Sequence, residues 1–280
     1  MTDRQTRLYD SFDMGRCINP FLKWAGGKRR LAPSILTKMP PHRRYIEPFL
    51  GGGAVYFSFC PEGALLGDNN ARLVRAYRAV AWNVEEVIWQ LTSCYPVDKE
   101  FYLALRGKNI DNCSDIEVAC WLIYLNKTGF NGLYRVNKAG SFNVPWGKYE
   151  NPTVCNADGL RACSAVLRSA EIIHNDFERV AEEAKAGDLV YFDPPYVPIS
   201  KDSSFTSYTK ERFGADEQLR LRNLAKRLKE RGVFIAITNS NAEEVLDLYS
   251  DGFEISQLKT TRNIAAKKES RGDVVDLLIT

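Results

Sequence analysis

The sequence predicts an α/β fold, a doubly wound and mainly parallel sheet carrying an inserted, partly helical subdomain. Three observations predict it. Short apolar runs with strand character recur along the chain with helical stretches between them. The first such run leads into a triple glycine at 51–53 and a second run ends on an acid, Asp68. Between about 84 and 160 the alternation stops and a helical, then Gly/Asn-rich block takes its place.

Taken in order, "RRYIEPFLGGGAVYFSF" (43–59) reads as a short strand, a glycine turn and an apolar helix start from about Ala54. "GALLGDNN" then reads as a second strand, and "ARLVRAYRAVAWNVEEVIWQL" as helix. This is the order in which a glycine turn admits a nucleoside to the backbone while an acid at the next strand end meets ribose hydroxyls. In the block at 84–160, "IEVACWLIYLNKTGF" has helical character, and "NGLYRVNKAGSFNVPWGKY" reads as a loop or hairpin. Later strands are expected near 170–177, 188–196, 232–240 and 274–280, with helices at about 178–186 and 215–231 and an antiparallel strand near the end. The domain division that follows is an N-terminal extension (1–17), a sheet-bearing body (18–83 and 161–280) and the insert (84–160).

Bulk properties narrow the class. With 280 residues, 45% hydrophobic and 26% charged, the chain has the material for one large domain. No apolar run reaches the roughly 18 residues of a membrane span, so a soluble, cytoplasmic protein is expected. The seven cysteines are scattered without a CxxC pair, which argues for reduced, buried thiols rather than disulfides or zinc, and only two histidines are present. No metal is therefore expected. Net charge is only +3, but residues 1–44 are strongly basic and "KTTRNIAAKKESRG" (259–272) is basic again. Each run alone is ordinary solvated surface; together they raise nucleic acid as a partner.

The run "YFDPPY" (191–196) drives an apolar strand into an acid, two prolines and a tyrosine. Proline fixes φ, lacks an N–H and keeps the preceding residue out of helical geometry, so the strand ends sharply and displays Asp193 at its carboxyl end. Ligands of open α/β sheets bind there. A strand followed by Asp-Pro is also an ordinary turn.

Three stretches, "PFLKWAGGKRR" (20–30), "IEPFLGGGAVYF" (46–57) and "DPPY" (193–196), together with "GFNGLYRVNKAGSFNVPWG" (129–147) and the tail "RNIAAKKESRGDVVDLLIT", resemble the Dam family of DNA adenine-N6 methyltransferases in its alpha motif order. The resemblance spans roughly 18–280. It implies a Rossmann-like, S-adenosylmethionine-dependent methyltransferase sheet with a DNA-recognition insert. The implied reaction transfers a methyl group from S-adenosylmethionine, leaving S-adenosylhomocysteine, to N6 of an adenine flipped out of double-stranded DNA, in the family's usual site GATC. A monomer associated with the nucleoid of a bacterial or phage-infected cell is implied as well.

Residue by residue, the resemblance assigns catalysis to Asp193, Pro194, Pro195 and Tyr196. Asp193 and the Pro194 carbonyl would accept the two N6 hydrogens, and Tyr196 would stack on the flipped base. The plainer reading of Tyr196 is a strand-end aromatic packed in the core. The cofactor is assigned to Trp24, Lys28, Glu47, Phe49, Gly51, Gly53, Asp68, Asn69, Asp176, Phe177 and Asp193. A lone strand-end acid such as Asp68 is as often a helix N-cap, and Asp176 could be a turn residue. "GGK" fails as a phosphate loop because Leu22 stands where the first glycine belongs and Arg29 follows Lys28.

DNA contacts are assigned to Lys23, Phe130, Asn131, Leu133, Tyr134, Arg135, Asn137 and Pro145. Among these, the Arg135 guanidinium suits the O6 and N7 acceptors of a guanine, with a phosphate contact as the plainer role. Two departures from the family pattern stand out. Phe130 replaces a tyrosine that wedges into the opened duplex, keeping the ring and losing the hydroxyl. Asn69 replaces a commonly apolar residue between Asp68 and Asn70. The competing readings are an N4-cytosine methyltransferase, which usually carries Ser in place of Asp193, a glutamine-amide methyltransferase, which favours Asn-Pro-Pro-Tyr, and a catalytically inactive, sequence-specific DNA-binding protein.

Overall fold

A computed structural model describes residues 17–197, 213–261 and 273–280. Seven strands form one sheet in the order β3-β2-β1-β4-β5-β7-β6. The first five in chain order, β1 (Tyr45–Glu47), β2 (Leu65–Asp68), β3 (Glu171–His174), β4 (Leu189–Phe192) and β5 (Phe234–Ser240), pair in parallel. The last two, β6 (Ile255–Thr261) and β7 (Asp273–Ile279), are antiparallel to their neighbours. The expected antiparallel strand at the end is therefore β7, inserted between β5 and β6.

Both faces of β1, β2 and β4 are covered, which is why they read as apolar runs rather than alternating ones. Side chains alternate between two cores. Tyr45, Leu66, Leu189 and Tyr191 join one hydrophobic cluster with α3 (Ala71–Trp82) and α6 (Asp115–Thr128). Ile46, Leu65, Val190 and Phe192 join the other with α8 (Phe177–Glu182), α9 (Ala215–Glu230) and α10 (Glu243–Leu248). That two-sided burial is the physical content of a doubly wound sheet.

The helical block consists of α4 (Val84–Ser93), α5 (Lys99–Gly107) and α6, followed by a 3₁₀ turn at Phe130–Gly132. A capping box in which Ser114 and Glu117 exchange side-chain and backbone bonds fixes the start of α6. From Val118 to Asn126 every residue of α6 is buried, so this helix is apolar all round and forms the centre of its layer. Its buried residues fall in the same cluster as β1 and α3 rather than in a separate core. Beyond it the backbone forms a narrow hairpin, with bridges between Gly129 and Trp146 and between Val136 and Phe142.

Several elements differ from expectation in length. The helix expected from Ala54 is only α2 (Tyr56–Phe59), ended at Cys60 by a left-handed backbone (φ 48°). The strand expected near 170–177 ends at His174, because Asp176 begins α8 as its N-cap. None of the seven cysteines is disulfide-bonded; Cys120 and Cys163 are buried as expected, whereas Cys17 and Cys94 are exposed. Most of the N-terminal extension and of the basic tail lies outside the described residues. Among the described residues no helix is long and apolar enough to cross a membrane.

Candidate active site

The strand order reverses between β1 and β4, which pair with each other while their other neighbours run to opposite sides. The carboxyl ends at such a switch point leave a crevice. The chain fills it with the two most distinctive stretches of its sequence. Glu47 ends β1 and the glycine turn follows it; Asp193 to Tyr196 follow β4.

The glycine turn is shaped by what surrounds it. Gly51 and Gly53 hold positive φ (48° and 65°), and a β-carbon on Gly51 would lie 2.8 Å from Trp24 Cδ1. Only glycine combines that conformation with that approach. Asp68, at the end of β2, accepts the Gly51 N–H at 2.9 Å through one carboxylate oxygen and the Asn70 N–H at 2.8 Å through the other. Asp68 is therefore not the cap of α3; Asn70 is, accepting from Leu73 N. Asn69 is exposed, with its carbonyl 3.2 Å from His174 Nε2.

Three carboxylates stand at adjacent strand ends: Asp68, Glu47 and Asp193. Glu47 is buried, accepts the Tyr45 hydroxyl at 2.8 Å, and is pushed well above the ordinary carboxylate range by burial and further by Asp193 and Asp68. Burial raises Asp68 too, against the backbone N–H groups it accepts. Burial likewise raises Asp193, against the pull of Lys28 and Thr238. Desolvated acids in mutual repulsion are a site for positive charge and hydroxyl donors. A cofactor carrying an ammonium, a sulfonium and ribose hydroxyls matches that donor set, so S-adenosylmethionine fits the residues present.

Asp193 is held by a chain of donors. Thr238, fully buried on β5, donates its hydroxyl to Asp193 Oδ1 at 2.8 Å, and the buried Tyr191 hydroxyl, 3.0 Å from Thr238 Oγ1, donates in turn. The Lys28 ammonium lies 3.2 Å from the same oxygen and 4.3 Å from the centre of the Tyr196 ring. Lys28 is thus not merely along the cofactor crevice; its head sits among the catalytic candidates. The Tyr196 hydroxyl donates to Asp276 Oδ2 on β7 at 3.0 Å, so Tyr196 is not a core aromatic but a half-buried ring held at the rim.

The turn after Asp193 is pinned from outside. Gln218 donates to the Pro195 carbonyl at 3.0 Å, and Ser240 donates to the Val197 carbonyl at 2.7 Å. Among the described residues no donor reaches the Pro194 carbonyl. Thr238, Asn239 and Ser240 are three polar residues at the end of an apolar strand, a signal in the sequence that could have marked them. Asp276 carried no such signal.

Phe177 packs beside Phe49 (ring centroids 5.1 Å apart) and under the Arg220 guanidinium at 4.2 Å. Asp176 accepts from Glu178 N as the cap of α8 and pairs with Arg220, the turn role that the sequence also allowed.

Of the residues expected to read DNA, Phe130 is the most telling. It is a large apolar side chain left 49% exposed at the tip of the 3₁₀ turn. Asn131 beside it has a left-handed backbone (φ 55°) and donates its N–H to the Tyr149 hydroxyl. Lys23 is exposed, and Pro145 is exposed on the opposite strand of the hairpin. Arg135 is exposed and braced by Asn143, whose side chain and carbonyl accept from it at 2.7 and 3.2 Å. Leu133 is half-buried. Two of these residues are engaged within the protein. Tyr134 is 5% exposed and stacks on Trp24 at 5.4 Å, because the tract alternates inward and outward and its aromatic position faces in. Asn137 spends its side-chain oxygen on the Ala139 and Ser141 N–H groups of the hairpin turn.

Comparison with known proteins gives this geometry a family. A model of the D12 class of N6 adenine-specific DNA methyltransferases matches residues 24–264. A type II methyltransferase of Lactococcus lactis subsp. cremoris is 42% identical over 271 residues, covering 94% of this chain and 95% of the relative. A type II methyltransferase of Methanocaldococcus jannaschii is 39% identical over 284 residues, 94% of this chain and 98% of the relative. A DNA adenine methylase of Haemophilus influenzae is 34% identical over 265 residues and covers 92% of each.

Proposed function

Because the chain belongs to the D12 class of N6 adenine-specific DNA methyltransferases, we propose that it methylates N6 of an adenine swung out of duplex DNA, within GATC, with S-adenosylmethionine as donor. One observation carries the reading of the site. The Lys28 ammonium, 3.2 Å from Asp193 and 4.3 Å over the Tyr196 ring, already makes the two contacts that an exocyclic amine stacked on Tyr196 would make.

S-adenosylmethionine, when bound, supplies an electrophilic methyl group on a sulfonium. Glu47, Asp68, Trp24, the Phe49–Gly53 turn, Asp176 and Phe177 are the residues that would hold it. The protein's task lies with the nitrogen. An aromatic amine has its lone pair drawn into the ring, so it attacks poorly until its two hydrogens are held out of the ring plane. The Asp193 carboxylate and the Pro194 carbonyl are two acceptors fixed by a Pro-Pro turn that cannot relax, and such alignment supplies most of the acceleration. A strong base is not needed. Once the nitrogen bears positive charge its proton is acidic, and Asp193 or water takes it.

Moving the base out of the stack costs a few kcal/mol in lost pairing and stacking. Tyr196 offsets part of this, since stacking a base on an aromatic ring is worth about 1–3 kcal/mol. Phe130 offsets more by filling the space left in the duplex. Lys28 must leave the Tyr196 ring as the base arrives, and the adenine then takes over its bond to Asp193. In this reading residues 84–160 deliver the recognition tract, with Arg135 on a guanine and Lys23 at the first base pair, and the protein works as a soluble monomer on chromosomal or phage DNA.

Methylation profiling of DNA from cells expressing the protein tests this directly. The expected result is N6-methyladenine in GATC, relaxed at one guanine by about 1–3 kcal/mol in Arg135→Ala. A different site, or an unchanged profile in that variant, overturns the specificity assignment.

A further inference from the structure

Asn126 lies in the last turn of α6 and is 2% exposed. Its carboxamide makes three bonds at once. Oδ1 accepts the Lys23 N–H at 2.8 Å, and Nδ2 donates to the Lys23 carbonyl at 2.8 Å and to the Gly132 carbonyl at 2.7 Å. Toward Lys23 it behaves as a neighbouring strand would, matching both backbone groups of one residue. The third bond ties that residue to the recognition tract. Of the common side chains, a planar carboxamide offers one acceptor and two donors in this arrangement.

The same two segments are pressed together on either side of this junction. Gly132 has φ 64°, and a β-carbon there would lie 2.6 Å from Lys23 Cδ. One residue past Lys23 and two past Gly132, Trp24 stacks on Tyr134 while its ring edge covers Gly51. The loop bearing Lys23, Trp24 and Lys28 therefore cannot shift without moving the tract that bears Phe130 to Arg135. The buried amide of Asn126 is the hinge pin of that contact.

We propose that Asn126 is a positioning residue for sequence reading, setting Lys23 and the 130–135 tract in one register so that the correct base sequence and the methyl-transfer site are engaged together. The inference rests on the DNA-reading roles of Lys23 and Arg135 given above. Asn126 would touch neither DNA nor cofactor; it acts through the Lys23 backbone and Gly132.

The test uses the full chain and the recognition sequence found by profiling. Asn126→Asp keeps the size and the Oδ1 acceptor and loses both donated bonds. The measurements are kcat/KM on a duplex with the recognition site, kcat/KM on duplexes altered at one base pair each, and the single-turnover methyl-transfer rate at saturating recognition duplex. Discrimination at the first base pair should fall by at least tenfold, with a smaller change in the single-turnover rate. Unchanged discrimination in a variant that melts cooperatively overturns the proposal. Should Asn126→Asp fail to fold, Asn126→Ser, which buries no charge, is read in the same way. Lys23→Ala is run beside them. If it leaves first-base-pair preference untouched, the underlying DNA-reading assignment has failed; if it relaxes that preference and the Asn126 variants do not, only the positioning role has failed.

Discussion

Replacing Thr238 with valine removes one hydroxyl and almost no volume from a fully buried position. That hydroxyl donates to Asp193 Oδ1 at 2.8 Å and receives the Tyr191 hydroxyl. A hydrogen bond to a charged group contributes about 1.5–3 kcal/mol. If its loss is felt where Asp193 aligns the amine, kcat at neutral pH should fall by about 10- to 150-fold, at 1.36 kcal/mol per tenfold. A second consequence follows from the sign of the effect. Burial already raises the Asp193 carboxyl above its ordinary range, and Thr238 is one of the groups opposing that rise. Without it the carboxyl holds its proton to higher pH, so the acid limb of the kcat–pH profile moves upward. Thr238→Ser should restore both rate and profile. Single-turnover methylation of a saturating duplex across pH 5–9 is the assay. A valine variant with kcat within twofold of the parent and an unmoved acid limb refutes the alignment argument.

Further outcomes follow from the same geometry. Glu47 has a folded-state pKa raised by burial, so its contribution to stability is fully present below the unfolded pKa and is lost as pH rises through the folded value. Glu47→Gln should therefore raise the melting temperature of the cofactor-free protein at pH 8 by at least about 2 °C, with the gain shrinking toward pH 5; a gain larger at pH 5 contradicts the sign. Gly51→Ala places a β-carbon 2.8 Å from Trp24 in a left-handed backbone, and calorimetry should show at least about tenfold weaker S-adenosylmethionine binding; unchanged affinity removes the turn from the cofactor site. Phe130→Ala removes a side chain already 49% exposed. Stability should change by no more than about 0.5 kcal/mol, while the fluorescence rise of 2-aminopurine at the target position, the mark of an unstacked base, should be lost; an undiminished rise argues against a wedge.

The parallel core was legible because strands buried on both faces must be continuously apolar, as "LVYF" and the "YI" of β1 are. The strand β6, "ISQLKTT", was not, since an edge strand needs apolar residues on one face only and its sequence mixes freely. The helices α1 (Ala32–Leu36) and α10 were too short to show a period. At the site, the glycine turn and "DPPY" announced themselves because each is a local solution to a local constraint. Their supports did not. Thr238 and Asp276 meet Asp193 and Tyr196 across 45 and 80 residues of sequence, and only the registers of β5 and β7 bring them there. Asp68 is instructive in a different way. An acid at a strand end before a helix can cap that helix, and here Asn70 takes the cap and frees Asp68 to face the glycine turn. Tyr134 shows the converse, a residue of the exposed hairpin turned inward to stack on Trp24.

In the proposed reaction this site presents Asp193, Pro194 and Tyr196 to the exocyclic amine of adenine. Duplex DNA incubated with methyl-labelled S-adenosylmethionine and the protein, then digested to nucleosides, tests this in a single chromatogram. Label is expected in N6-methyladenine alone with the parent protein, and none with Asp193→Ala although that variant still binds DNA. Label in N4-methylcytosine, or transfer by Asp193→Ala at a rate near the parent's, would contradict it.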